Sequence, residues 1–167
     1  MRHLLVAALL AFASLSVGAS TGTSSTISTG GVALRVPVGW HAAVAKTPDC
    51  DPERLIVISS ARLRITASGH VAAPASGQVV ILLLEDRYVQ DRPTGNLRRP
   101  VHFTIAWNRL VNLKPSGYCG SPSAPAAMHY FKTHGRYLGF IVYPGAGMGS
   151  SIRAKTLTVM DSLHVGN

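Results

Sequence analysis

Three glycines, Gly145, Gly147 and Gly149, follow a β-prone run and precede a helical one. Such a turn can hold a phosphate, because backbone N–H groups at a helix start attract anions. The spacing fits neither common motif. A dinucleotide fingerprint needs a third Gly or Ala where Ser150 stands. A phosphate-binding loop needs Gly-Lys-Ser/Thr, and here Lys155-Thr156 follows Ala154. The cluster therefore reads as a strand-to-helix turn, and no cofactor is expected. His129 and His134 lie five apart, which matches no zinc-ligand spacing on a hairpin, so no metal site is assigned. Gly149-Ser150-Ser151 lacks the second glycine of a Gly-x-Ser-x-Gly nucleophile elbow. The carboxylates cluster only at Glu85-Asp86 and at Asp49-Asp51-Glu53. Neighbours on a strand point to opposite faces, so Glu85 and Asp86 make a poor catalytic pair. No catalytic residue is assigned.

Charge is the feature with functional weight. Sixteen Lys and Arg stand against seven Asp and Glu, a formal net charge of +9. A positive field of this size draws anionic surfaces and weakens with salt. Arg92, Arg98 and Arg99 concentrate charge in one polar loop and are the expected contacts for an anionic partner. Arg62 and Arg64 fall on one face of an alternating segment.

The chain opens with Met1-Arg2-His3, an apolar stretch from Leu4 to Val17, and small residues at Val17-Gly18-Ala19. This three-part pattern predicts a secretory signal over residues 1–19, cleaved before Ser20. Removal would leave 148 residues with a formal charge of +8, enough for one domain with a real core. No transmembrane span is expected after cleavage, and the expected location is secreted or envelope-associated. Cys50 and Cys119 are the only cysteines. In an oxidising compartment an even count favours one bridge. That bridge would close a loop of about 70 residues and contribute about 4 kcal/mol.

Residues 20–31 are rich in Ser, Thr and Gly and read as a flexible leader. A single α+β domain is expected over 32–167. Val32, Leu34 and Val36 alternate as in a half-buried strand. Leu55 to Ile58 and Val79 to Leu84 read as strands buried on both faces. Alternation predicts further strands around Leu63 and Ile65 and over Val101 to Trp107. Met128 to Thr133 and Arg136 to Tyr143, split by His134-Gly135, predict a hairpin. Its register places Thr133 opposite Arg136, Phe131 opposite Leu138, His129 opposite Phe140 and Ala127 opposite Val142. Met148 to Leu163 has helical periodicity, with Ile152, Thr156, Val159, Met160 and Leu163 on one side and Ser150 or Ser151 as a cap. An antiparallel sheet with a C-terminal amphipathic helix is thus the expected architecture.

The opening Leu34-Arg35-Val36-Pro37-Val38-Gly39-Trp40 and the closing Met160-Asp161-Ser162-Leu163-His164-Val165 resemble small exported bacterial proteins of the PsbP-like type. The resemblance implies an α/β/α layered sandwich with binding or assembly roles. It carries over no functional residue.

Two functional readings follow. The preferred one is an exported, non-catalytic domain that binds an anionic envelope component or an acidic partner protein; nucleic acid is not expected for an exported chain. The alternative is a secreted hydrolase with a site built from Ser, His and Asp. A histidine within hydrogen-bond reach of a serine or carboxylate, in a cleft, would favour the second.

Overall fold

The computed structural model describes residues 23–45, 53–66, 69–86, 97–113 and 120–166. The expected signal, Cys50, Cys119 and Arg92 lie outside the described residues. The described strands are β1 (Ser25–Thr29), β2 (Val32–Val36), β3 (His41–Val44), β4 (Glu53–Ser59), β5 (Val79–Asp86), β6 (Val111–Asn112), β7 (Pro125–Thr133), β8 (Arg136–Pro144) and β9 (His164–Val165). One helix, α1 (Ser150–Asp161), precedes β9.

The strands form two antiparallel sheets. The larger runs β3-β4-β5-β8-β7-β6 and the smaller β1-β2-β9. In β5, the continuous Val-Val-Ile-Leu-Leu-Leu is buried along its length and sits between β4 and β8. A strand covered on both faces needs such an uninterrupted run.

Alternate residues of these strands feed two cores. The inner core joins Ile56, Ile58, Ile81, Leu83, Phe140 and Val142 to β2 and to Val159, Met160 and Leu163. Its centre is an aromatic cluster. Phe103 meets Phe131 and Phe140 edge-on, at centroid distances of 5.3 and 5.2 Å. The outer core joins Val57, Val80, Leu82, Leu84, Ile141 and Tyr143 to Val71 and Ala126. Half-buried Leu63, Ile65 and Leu113 pack against it.

The β7–β8 hairpin has the register read from the sequence, including Thr133 opposite Arg136, Phe131 opposite Leu138 and His129 opposite Phe140. Its two-residue turn has positive φ at both His134 and Gly135, as a type I′ turn requires.

Four expectations are corrected. First, the α+β, helix-layered sandwich gives way to a mostly β protein with one short helix among the described residues. Part of the reason is β1, which occupies the expected flexible leader. Its Ser and Thr side chains lie on an edge strand, and the ladder to β2 supplies the order that composition hides. Second, the segment around Leu63 and Ile65 is not a strand of either sheet. It lies across the outer face, tied to 70–72 by an isolated Ile65–Val71 bridge and by Ala72 N–H donating to Arg64 O at 3.0 Å. Third, Val101 to Trp107 has no ladder partner among the described residues. Phe103 and Ile105 are buried as alternation requires, but Val101 is 89% exposed. Fourth, neither Ser150 nor Ser151 caps the helix; Gly149 is the N-cap, without a side-chain bond.

Candidate anion-binding surface

The arginines divide by what their guanidinium groups touch. Arg54 interrupts an apolar strand and is 1% exposed. It donates from Nε to Ala45 O (3.0 Å), from Nη1 to Gly120 O (3.2 Å) and from Nη2 to Gly69 O (2.6 Å). The fit is close: Gly120 has φ +69°, and a Cβ there would stand 2.6 Å from Gly69 O. Burial pulls the Arg54 pKa below its ordinary value. The group stays cationic, and the carbonyl dipoles offset the lost hydration.

Arg136 grips Glu85 with both arms, Nε to Oε1 and Nη2 to Oε2, each 2.7 Å, and donates from Nη1 to Gly30 O at 2.8 Å. The hydrogen bond to Glu85 raises its pKa. This fork joins the turn between β1 and β2 to the end of β5.

The three arginines expected to meet an anionic partner are not equivalent. Arg92 lies outside the described residues. Arg99 donates from Nη2 to Leu163 O at 2.6 Å, just past the C-terminal end of α1, where a cation suits the helix dipole. Arg98 is exposed. Its backbone bridges Lys132 in parallel, and Lys132 N–H donates to Leu97 O. The Lys132 ammonium sits 5.0 Å over the Tyr137 ring. Arg98 and Arg99 line an open groove of about 690 Å³ with Pro100 and Val101. Of the two, Arg98 is the more exposed, and Arg99 fastens its loop to the helix.

Arg62 and Arg64 are both exposed, and their side chains make no hydrogen bond or ion pair among the described residues. They border two adjoining grooves on the outer face of the large sheet. One, of about 250 Å³, also includes Ser59, Pro74 and Gln78. The other, of about 580 Å³, also includes Thr66 and His70. Among the described residues no Asp or Glu lines either groove. The sequence paired these arginines by their two-residue spacing. It did not show that they crown an irregular segment over grooves.

The described carboxylates turn inward or are held. Glu53 is 5% exposed, Glu85 is gripped by Arg136, and Asp86 is half-buried. Asp161 accepts from Phe103 N–H at 2.7 Å through Oδ1 and meets His102 Nδ1 at 3.1 Å through Oδ2. This histidine–carboxylate pair stands open, with the His102 side chain 79% exposed. The neighbouring Ser162 hydroxyl donates to Val159 O and accepts from Arg35 N–H, so it serves the helix end rather than His102. His129 is half-buried edge-on to Phe103, and burial lowers its pKa. Gly145 is a packing residue, since a Cβ there would fall 1.9 Å from Ala75 O. Among the described residues no three His, Cys, Asp or Glu side chains gather as metal ligands would. No described helix is long and apolar enough to cross a membrane.

No protein-family model, curated protein or solved structure matches the chain. The PsbP-like resemblance therefore rests on its terminal motifs alone.

Proposed function

We propose that this chain is an exported, non-catalytic domain that binds an anionic component of the cell envelope through its basic surface. The observation that carries this reading is a segregation of charge. Every described carboxylate is buried, half-buried or held by a neighbour, while Arg35, Arg62, Arg64, Arg98, Arg109, Lys132, Arg153 and Lys155 are exposed. The net positive charge of the described residues thus faces solvent, where it attracts anions over about 10 Å at moderate salt.

Cosedimentation of the mature chain with phosphatidylglycerol vesicles tests the reading. Binding at low ionic strength is expected, lost as salt rises and absent with phosphatidylcholine. Replacing Arg92 and Arg98 with Ser weakens it by about 1 kcal/mol per charge. Equal partitioning to both vesicle types, or none to either at low salt, overturns the reading.

A further inference from the structure

We propose that the ridge carrying Arg62 and Arg64 seats a linear phosphodiester polymer, with a neighbouring phosphate on each guanidinium. The proposal rests on the anion-binding reading above and gives it a place and a ligand chemistry.

Four observations converge on this ridge. The first is availability. Arg54, Arg99 and Arg136 spend guanidinium donors on carbonyl or carboxylate oxygens, and Arg153 lies over Trp107. Arg62 and Arg64 make no such bond among the described residues. Their planar forks keep all donors for an oxyanion, and a guanidinium matches phosphate bidentately.

The second is spacing. Both side chains are exposed while Leu63 between them is half-buried and packed on the outer core. That alternation sets both arginines on one side, and in extended backbone such positions lie about 6.6 Å apart. That separation suits successive charges along one chain better than convergence on a single ion.

The third is shape. The two grooves, of about 250 and 580 Å³, share Arg62, Leu63, Arg64, Val71 and Ala72. They form one path past both arginines, longer than a lone phosphate would fill. Polar edges of Gln78 at one end and Thr66 and His70 at the other line it, and among the described residues no carboxylate lines it to repel an anion.

The fourth is support. Val71 N–H donates to Gly120 O at 2.7 Å, and Ala72 N–H to Arg64 O at 3.0 Å. Arg54 grips Gly120 from below. The ridge is therefore held in place before any ligand arrives, which reduces the ordering cost of binding.

Isothermal titration of the mature chain with a synthetic glycerol-phosphate hexamer, at low salt, tests the proposal. The variant Arg62→Ser/Arg64→Ser should bind at least tenfold more weakly than the parent. The charge-matched variant Arg35→Ser/Lys155→Ser, which removes two exposed cations elsewhere, should lose less than threefold. Equal losses in the two variants would sink the local seat yet leave general anion attraction standing. Vesicle binding without hexamer binding would sink the ligand chemistry alone; failure of both would sink the functional reading as well. Stoichiometric orthophosphate binding that is lost in Arg62→Ser/Arg64→Ser would replace the polymer with a single ion. A deoxynucleotide hexamer bound more than tenfold tighter than the glycerol-phosphate would overturn the assignment in favour of nucleic acid. Matching thermal melts for parent and variants show that each loss is local.

Discussion

The inner face of the six-stranded sheet is closed by α1 and a second sheet, whereas loops close its outer face. Inside, Phe131, Phe140 and Val142 meet β2, Val159 and Met160, and apolar packing does the work. Outside, Leu63, Ile65 and Val71 lie over Val57, Leu82 and Ile141. Irregular backbone leaves carbonyls to satisfy, and Arg54 binds one each from 45, 69 and 120. A loop-covered face keeps polar groups and grooves at its surface, and exposed arginines can sit on it without straining a ladder. The division suggests one face for holding the fold and the other for meeting a ligand.

Four measurements can break or sharpen this contrast. Phe140→Ala on the inner face should cost about 3–5 kcal/mol in urea denaturation, through lost burial and a cavity. Arg54→Met should cost about 3 kcal/mol, because it abandons buried carbonyls under the outer loops. Near neutrality for Arg54→Met would mean those loops do not need their buried cation. Arg62→Ser/Arg64→Ser should shift stability by less than about 0.5 kcal/mol, as expected for exposed side chains without partners. A larger shift would reclassify the ridge as structural.

The smallest effect concerns His129. Its folded pKa lies below the unfolded value of about 6.5. The unfolded chain then binds more protons in that region, so this contribution is present above pH 6.5 and lost as the pH falls toward the folded pKa. His129→Gln should therefore lose less melting temperature than the parent between pH 7.5 and 5.0. An identical acid sensitivity in both would exclude His129 as its source.

Some of this organisation was legible in the sequence because local chemistry determined it. His134-Gly135 suits a two-residue turn, and the turn alone sets every pairing of β7 with β8. The apolar runs of β4 and β5 announced strands buried on both sides. Other parts were hidden. Ser25–Thr29 reads as linker because an edge strand needs few apolar residues. Leu63 and Ile65 alternate with arginines, yet alternation reports a two-sided environment and not a partner strand. Charge was visible, but its expenditure was not. Nothing in the type or spacing of Arg98 and Arg99 foretold that Arg99 binds Leu163 O or that Arg98 is the more exposed of the two. Arg54 offered a clue, since a charged residue inside an otherwise buried run must find acceptors.

The pairing of Val32 with Val165 has a consequence for timing. Gly166 N–H also donates to Gly31 O at 2.8 Å, so the small sheet joins segments from opposite ends of the described chain. Val165 must be in place beside Val32, which lies far earlier in the sequence. A nascent chain therefore cannot complete this sheet until Val165 has emerged, long after Val32, and contacts so distant in sequence form slowly.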